Sequence, residues 1–313
     1  MKTQGNGKTY FLMVIAALVW SGAFIAGKFA VPYVPAFTLT FLRFLIASAV
    51  LYPVMKLYNK AHPKDNFKLT KKYIPLFLFN GIVGMLGYHA LFFTALKYTS
   101  AINSSIIGAM NPIVTTVIAS ITMKQKTPPV QTAGIALSFT GVVLTITGDN
   151  LSMLASFDFN RGDIFMAAAV ICWASYAVMS KAKGAEVPPL ALTFYSFVFC
   201  TITLIPFVIW EHPWTLEKIP VSAILAIIFM AVFSSVIGYM LQQIAIKKIG
   251  ASKSSIFVNL VPVFSIILSV IILGEELISV KIFTSLLIIA GVCICQMSGK
   301  RKHQTEALKN KFS

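Results

Sequence analysis

Ten apolar runs, each about as long as a helix that crosses a bilayer, constrain the fold of this chain most strongly. A bilayer core about 30 Å thick is spanned by roughly 20 helical residues. Hydrophobic residues make up 57% of the 313 residues and charged residues only 12%, which excludes an ordinary soluble domain. The runs predict an all-α integral membrane protein with ten transmembrane helices. The predicted spans are residues 10–31, 36–58, 73–97, 100–123, 130–148, 162–182, 189–210, 220–246, 251–273 and 277–298.

Positive charge alternates between successive connections of these spans. The N-terminus, the connections after the even-numbered spans and the C-terminal tail carry 20 lysines and arginines, whereas the other connections and their flanking helix ends carry five. Because Lys and Arg accumulate on the cytoplasmic side, both termini are predicted to be cytoplasmic. The net charge of +16 then indicates contact between the basic segments and anionic lipid headgroups, so nucleic acid need not be invoked.

The two halves of the chain are similar to each other. Trp20 aligns with Trp173 at an offset of 153, and ten of the 34 positions from Trp20 to Pro53 are identical without a gap. The offset falls to 150 where Pro112 meets Pro262. Since each half contains five spans, an odd number, the second half must begin on the opposite side of the membrane. The prediction is two inverted five-helix repeats around a central cavity, 1–148 and 162–298, joined by an extracytoplasmic connection, 149–161, and followed by a basic cytoplasmic tail, 299–313.

Inverted repeats provide two nearly equivalent conformations, each open to one side of the membrane. This property favours alternating-access transport. The competing interpretation is that duplication merely doubled a scaffold.

Two ionisable side chains lie within the predicted spans and are candidates for the site. Arg43 lies about 10 Å into the second span at 1.5 Å per residue, and a buried charge there needs a partner or water. Its guanidinium can anchor a solute carboxylate, or it can be a structural residue that bonds helix-end carbonyls. His89 in the third span can carry a proton, with an unperturbed pKa of about 6.5, or can stay neutral as a hydrogen-bonding residue.

Other candidates occupy matched positions in the two halves. Pro112 and Pro262 each remove an intrahelical hydrogen bond near the middle of a span and predict kinks beside a solute site. Only one of the adjacent Gln242 and Gln243 can face the centre. Aromatic packing between helices competes with cavity lining for the aromatic members. The predicted solute-binding residues are Trp20, Arg43, Tyr88, His89, Asn111, Trp173, Tyr176, Tyr239, Gln242 and Asn259.

Some kinds of residue and motif are missing from the sequence, and their absence argues against several kinds of membrane protein. None of the ten acidic residues lies at the middle of a span, which argues against a proton-coupled pump built on a mid-membrane carboxylate. A Walker-type loop and a His/Cys/Asp cluster are missing, so no cofactor or metal is predicted. The loops are too short and too poor in Asp, His and Glu for a membrane-embedded lipid enzyme. The four cysteines fall in apolar runs and are predicted to be packing residues.

The chain also resembles a known family, the EamA-type ten-helix exporters of the drug/metabolite transporter superfamily. The resemblance rests on the order and spacing of Trp20-Ser21-Gly22, Arg43-Phe44, Asn111-Pro112, Trp173-Ala174 and Leu273-Gly274-Glu275-Glu276-Leu277, and it covers nearly the whole chain. It implies a central cavity and the export of small metabolites, often amino acids, across the bacterial plasma membrane. The chain departs from the family where Lys124-Gln125-Lys126-Thr127 replaces an acidic turn after the fourth span. This departure favours a structural capping role for Glu275 and Glu276.

The sequence therefore predicts a secondary transporter, an exporter or facilitator of small organic metabolites, with amino acids or related compounds as the favoured solutes. Facilitated diffusion and proton coupling through His89 are both compatible with these residues. The alternative within the superfamily is a phosphorylated-sugar or nucleotide-sugar exchanger, which would need several Lys or Arg side chains in the cavity.

Overall fold

The structure, a computed structural model, describes residues 7–62, 67–122, 128–147, 160–184, 186–212, 219–249 and 257–294. Within these ranges the chain is helical and contains no strand. Seven helices are long and apolar enough to cross a membrane, which confirms an all-α, multi-pass membrane protein. They are α1 (Gly7–Ala30), α2 (Ala36–Ala61), α3 (Lys71–Tyr98), α4 (Ala101–Thr122), α6 (Arg161–Lys183), α7 (Pro189–Glu211) and α8, which is apolar over Val221–Gln242 and helical to Ile249.

Three further apolar helices lie at or near the edges of the described ranges, and their described parts are shorter than the seven above. They are α5 (Pro129–Thr147), α9 (Leu260–Leu273) and α10 (Ser279–Ile294). Each coincides with a predicted span, and the count of ten spans stays a prediction. The predicted connection and tail, as well as the turn at 124–127, fall almost entirely outside the described residues.

The helices associate through a few extended contacts. α1 packs along α8 and α9, α3 and α4 pack on α6, and α2 packs on α7. The α2–α7 contact runs along both helices as a series of aromatic pairs. Ring centroids are 5.0 Å apart for Phe37 and Phe207, 4.7 Å for Phe44 and Phe197, and 6.3 Å for Tyr52 and Phe194. Since the residue numbers rise along one helix as they fall along the other, α2 and α7 are antiparallel.

Glycines set the closest approaches between helices. A Cβ on Gly162 would lie 2.7 Å from the backbone nitrogen of Thr99 and 2.8 Å from the carbonyl oxygen of Ala95. The start of α6 therefore touches the backbone at the end of α3, as small residues permit in membrane helix packing. The described cysteines Cys172, Cys200 and Cys293 are free thiols.

Two helices break where the sequence predicts kinks. α4 loses its regular helix at Ala109 and Met110, and the helical run that leads into α9 breaks at Asn259. Each break begins three residues before a proline, Pro112 or Pro262, because the proline ring cannot donate a hydrogen bond and crowds the preceding turn. A break in the helix therefore precedes each of the two prolines.

π-Helical turns were not predicted from the sequence. α3 widens into such turns over Asn80–Gly87, α8 over Met230–Ile237 and α9 over Ser269–Leu273. The first two segments begin 150 residues apart, within one residue of the offset of 151 that aligns Gly87-Tyr88 with Gly238-Tyr239. Wide turns of this kind insert an extra residue and rotate the side chains that follow. They change the faces presented by Tyr88 and His89 in α3 and by Tyr239 in α8.

Candidate functional site

A cavity of about 430 Å³ lies among α1, α2, α3, α4, α6, α8 and the start of α9. This volume suits a small organic solute. Eleven of the twelve residues predicted to bind a solute or to kink a helix lie in its wall. They are Trp20, Arg43, Tyr88, His89, Asn111, Pro112, Trp173, Tyr239, Gln242, Asn259 and Pro262. Gln242 thus faces the cavity, while the side chain of Gln243 lies outside the described residues.

Tyr176 is the remaining predicted residue, and the structure places it behind the wall. Its ring packs over Gly84 of α3, where an added Cβ would come within 2.7 Å of the ring. It also contacts Trp173, with ring centroids 5.3 Å apart. The π-helical part of α3 carries Gly84 against α6, so Tyr176 supports Trp173 from behind. The sequence prediction placed Tyr176 in the cavity wall because Tyr176 lies about one helical turn from Trp173. That prediction did not include the close approach of α3 to α6.

Arg43 is buried in the cavity wall without a carboxylate partner. Its side chain is 4% exposed, and Nε donates a hydrogen bond to Oγ of Ser235 at 2.9 Å. The Ser235 hydroxyl in turn donates to the carbonyl oxygen of Met230 at 3.0 Å, within the π-helical segment of α8. Among the described residues, Lys72 and Glu186 form an ion pair. This pair lies far from the cavity. The hydrogen bonds of Arg43 therefore do not go to helix-end carbonyls, which was the structural alternative.

The chemical consequence for Arg43 follows from the cost of burying a charge. A guanidinium has five N–H donors, and Ser235 uses one of them. A buried cation that lacks a counter-ion is unfavourable, and an anion with two oxygens matches the guanidinium fork. The arrangement can therefore bind a carboxylate that enters the cavity.

His89 is buried, and its ring packs against Phe44, the residue that follows Arg43 in the sequence. Its side chain is 3% exposed, and Nδ1 lies 2.9 Å from the carbonyl oxygen of Met85. Because a carbonyl oxygen only accepts hydrogen bonds, Nδ1 carries a proton and Nε2 stays available as an acceptor. The ring packs edge-on against Phe44 and Tyr88, each with centroids 4.7 Å away. His89 can thus accept a proton or a hydrogen bond through Nε2.

Tryptophan and tyrosine rings form a continuous aromatic wall. The ring of Tyr239 contacts Trp20 and Trp173 in edge-to-face geometry, with centroids 6.2 and 6.1 Å apart, and Tyr88 contacts Trp173 at 5.0 Å. The indole nitrogen of Trp20 donates to the carbonyl oxygen of Ser234 at 3.1 Å. This N–H therefore fixes α1 to α8, while the ring faces the cavity. The rings of this wall therefore both pack between the helices and line the cavity.

Hydrogen-bond acceptors are provided by the broken helices α4 and α9. Pro112 cannot donate to the carbonyl oxygen of Gly108, nor Pro262 to that of Val258, and both Gly108 and Val258 are in the cavity wall. In addition, Oδ1 of Asn111 is buried without a hydrogen-bond partner. These oxygens can accept bonds from donor groups of a solute.

Sequence reasoning missed some residues of the site. Ser105, Thr115 and Thr116 line the cavity from α4, and their helical spacing from Pro112 was a usable signal. Ser235, the partner of Arg43, had no such signal, because its orientation depends on the π-helical turns of α8.

Comparisons with known proteins identify relatives along the whole chain. A model of the EamA-like transporter family matches residues 7–147 and again residues 160–296. The uncharacterized transporter YyaM of Bacillus subtilis is 34% identical over 284 residues, which cover 90% of this chain and 92% of the relative. An uncharacterized transporter of Archaeoglobus fulgidus is 30% identical over 303 residues, covering 96% and 100%. A solved crystal structure, 20% identical, covers 95% of this chain and 100% of its own with a TM-score of 0.62, which shows a shared fold.

Proposed function

Because the chain belongs to the EamA-like transporter family, we propose that it is a secondary transporter that exports small organic metabolites by alternating access. The proposed solutes are amino acids or related compounds, and the proposed location is the bacterial plasma membrane with both termini in the cytoplasm. The observation that carries the proposal is the buried, carboxylate-free Arg43 in the wall of a cavity that both halves of the chain line.

Inversion of the two halves is supported by the packing of repeat partners. α2 and α7 correspond to each other in the internal repeat and run antiparallel, so that Glu211 at the end of α7 meets Phe37 and Thr38 at the start of α2. The π-helical turns of α3 and α8, and the two proline breaks, also occur at matched positions of the halves. A duplicated scaffold alone gives no reason for paired irregularities that converge on one cavity.

The position of the cavity favours uptake of solute from the cytoplasmic side. The cavity extends between the Asn111–Thr122 part of α4 and the beginning of α9, away from the face where α4 begins at Ala101. With the termini in the cytoplasm, α4 would run inwards and this end of the cavity would face the cytoplasm. That geometry agrees with an exporter in its loading conformation.

The cavity chemistry suits a zwitterion with an apolar side chain. Arg43 would bind the carboxylate, the oxygens of Asn111, Gly108 and Val258 would accept bonds from the amino group, and the aromatic wall would contact the rest. A phosphorylated sugar carries more negative charge, and within the described cavity wall Arg43 is the one Lys or Arg side chain. This argues against the sugar-phosphate and nucleotide-sugar alternative.

Substitution of His89 by glutamine tests proton coupling. In His89→Gln the new side-chain amide can still donate to the Met85 carbonyl but cannot take up a proton, so flux should lose its dependence on an imposed pH gradient. The measurement is exchange by reconstituted protein with and without the gradient. His62→Gln is the matched control, since His62 is exposed at the end of α2 and its variant should keep the wild-type dependence. If His89→Gln retains it as well, His89 is not the coupling residue.

Access to Gln242 tests alternating access itself. In a variant without the native cysteines, Gln242→Cys should react with an impermeant thiol reagent from one side of membrane vesicles, and a saturating solute gradient should shift the reaction to the other side. Tyr33→Cys, an exposed position between α1 and α2, should react from one side under all conditions. Reaction of Gln242→Cys from a single side in every solute condition would contradict alternating access.

A further inference from the structure

A carboxylate from the second half of the chain binds the beginning of α4, in the first half. Glu275 follows α9, and its two side-chain oxygens accept hydrogen bonds from the backbone nitrogens of Ala101, at 2.7 Å, and Ile102, at 3.0 Å. These are the first residues of α4, whose leading N–H groups have no partner within the helix. The positive end of the helix dipole adds to the attraction. Both oxygens of Glu275 are thus used to hold α4.

The position of this contact gives it a role beyond capping. α4 contributes Ser105, Gly108 and Asn111 to one wall of the cavity, while the residues from Val258 to Pro262 contribute to another. These two walls belong to different halves of the chain. Glu275 therefore joins, at one face of the protein, two helices from different halves that also pack on each other over Ala101–Gly108 and Leu260–Leu268.

The same kind of contact occurs between α2 and α7 without crossing the cavity. Glu211 accepts hydrogen bonds from the backbone nitrogens of Phe37, at 3.0 Å, and Thr38, at 2.6 Å. However, α2 and α7 are in aromatic contact along their length, and residues of α7 are not among those that line the cavity. Glu211 is a matched carboxylate cap whose loss would leave the cavity walls in place.

The repeat partner of Glu275, on the opposite face, lies outside the described residues. By the repeat offset of 150, the position that corresponds to Glu275 is Gln125, which has no carboxylate. In the described part of the chain, the carboxylate contact between the halves on that face is the exposed bond from Lys72 to Glu186, at 2.7 Å. That hydrogen bond lowers the pKa of Glu186, and an exposed pair contributes little. The inverted repeats are thus joined asymmetrically.

We propose that Glu275 is the latch that keeps the cavity closed at the face where α4 begins. Alternating access requires this end of the cavity to open, so the bonds from Ala101 and Ile102 to Glu275 break in each transport cycle. The latch rests on the proposed alternating access and determines which conformation the empty transporter prefers. Because Gln125 stands at the corresponding position of the first half, the latch acts at one face and biases the protein towards the conformation open at the other face.

The test measures how fast a thiol reagent reaches the cavity from the latched face. Ser105→Cys, in a background without the native cysteines, reports this end of the cavity because Ser105 lies one turn from Ala101 and is 1% exposed. Glu275→Gln has one acceptor oxygen in place of two and turns an NH2 group towards a backbone N–H. Reaction of Ser105→Cys from the latched face, in vesicles of known orientation, should increase by roughly tenfold or more, since bonds to a charged group shift an equilibrium by about this factor.

Two controls separate a latch from general loosening. Glu276→Gln changes the adjacent exposed carboxylate and should leave the labelling rate at the wild-type value. Glu211→Gln removes the matched cap from α2 and should not increase labelling from the latched face. An equal increase in Glu275→Gln and Glu211→Gln, or an increase from both faces, would overturn the latch.

The failure of the latch and the failure of alternating access are distinguishable in the same assay. If Glu275→Gln leaves labelling unchanged while solute still shifts it between faces, the latch is wrong and alternating access stands. If no solute condition and no variant exposes Ser105→Cys to the latched face, both are contradicted.

Discussion

Replacement of Arg43 by alanine is expected to reduce exchange of a carboxylate-bearing solute by at least about 100-fold. Removal of one member of a buried charge pair typically costs about 3–5 kcal/mol, because the remaining charge loses its partner in a medium of low polarity. Here the remaining charge would be the solute carboxylate. The measurement is the initial rate of exchange in proteoliposomes at equal amounts of inserted protein.

The stability of the same variant distinguishes a binding role from a structural one. Arg43 is buried and, among the described residues, has one hydrogen bond, to Ser235, and no carboxylate partner. Its removal should therefore leave the thermal unfolding temperature unchanged or raise it. Ser235→Ala keeps the guanidinium but loses its positioning bond, so its exchange rate should fall only several-fold. A marked loss of thermal stability in Arg43→Ala, with exchange retained by the folded fraction, would assign Arg43 to the fold.

Replacement of Gly162 by alanine is expected to destabilise the fold strongly for a change of a single methyl group. The new Cβ would lie 2.7 Å from the backbone nitrogen of Thr99 and 2.8 Å from the carbonyl oxygen of Ala95. Backbone atoms cannot rotate away as a side chain can, so α6 must move off α3. Overpacking costs about 1–3 kcal/mol, and we expect the upper end of this range.

The separation of α3 and α6 would also affect their local hydrogen bonds. Asp163 accepts a bond from the hydroxyl of Thr99 at 2.6 Å, and Asn160 donates to the carbonyl oxygen of Tyr98 at 3.1 Å. Gly7→Ala is the matched control, because a Cβ there meets nothing within 4 Å. Thermal unfolding in detergent should show a clear decrease for Gly162→Ala and none for Gly7→Ala. Equal unfolding temperatures would contradict the close backbone packing of these helices.

Much of the fold could be predicted from the sequence because hydrocarbon imposes simple requirements. An apolar run of bilayer length must be helical to satisfy its backbone, and the observed helices begin and end close to the predicted limits. The proline breaks were predictable for the same reason, since Pro112 and Pro262 lack an N–H wherever they stand.

The composition of the cavity wall was also largely predictable. Polar and aromatic side chains in spans avoid lipid, so residues such as Asn111 and Gln242 were expected to face inwards. What the sequence could not give was the set of contacts that depend on irregular backbone. The π-helical turns bring Ser235 to Arg43 and place Tyr176 behind Trp173. No local residue pattern predicts such turns.

The role of Glu275 was only partly predictable. The sequence indicated a structural cap because the first half has Gln125 at the corresponding position. The helix that Glu275 holds is α4, which lies more than 170 residues away in the chain. Contacts of this range are set by how the two halves pack, which the sequence of either half alone does not contain.

Solute counterflow in proteoliposomes tests the central claim most directly. Vesicles that contain the protein are preloaded in turn with pooled amino acids, aromatic metabolites, sugars and phosphorylated sugars, and uptake of the labelled solute is followed with and without a pH gradient. We predict that amino acids or related carboxylated compounds exchange and that Arg43→Ala abolishes this exchange. Exchange of phosphorylated sugars alone, or no exchange of any pool by well-folded protein, would contradict the proposed function.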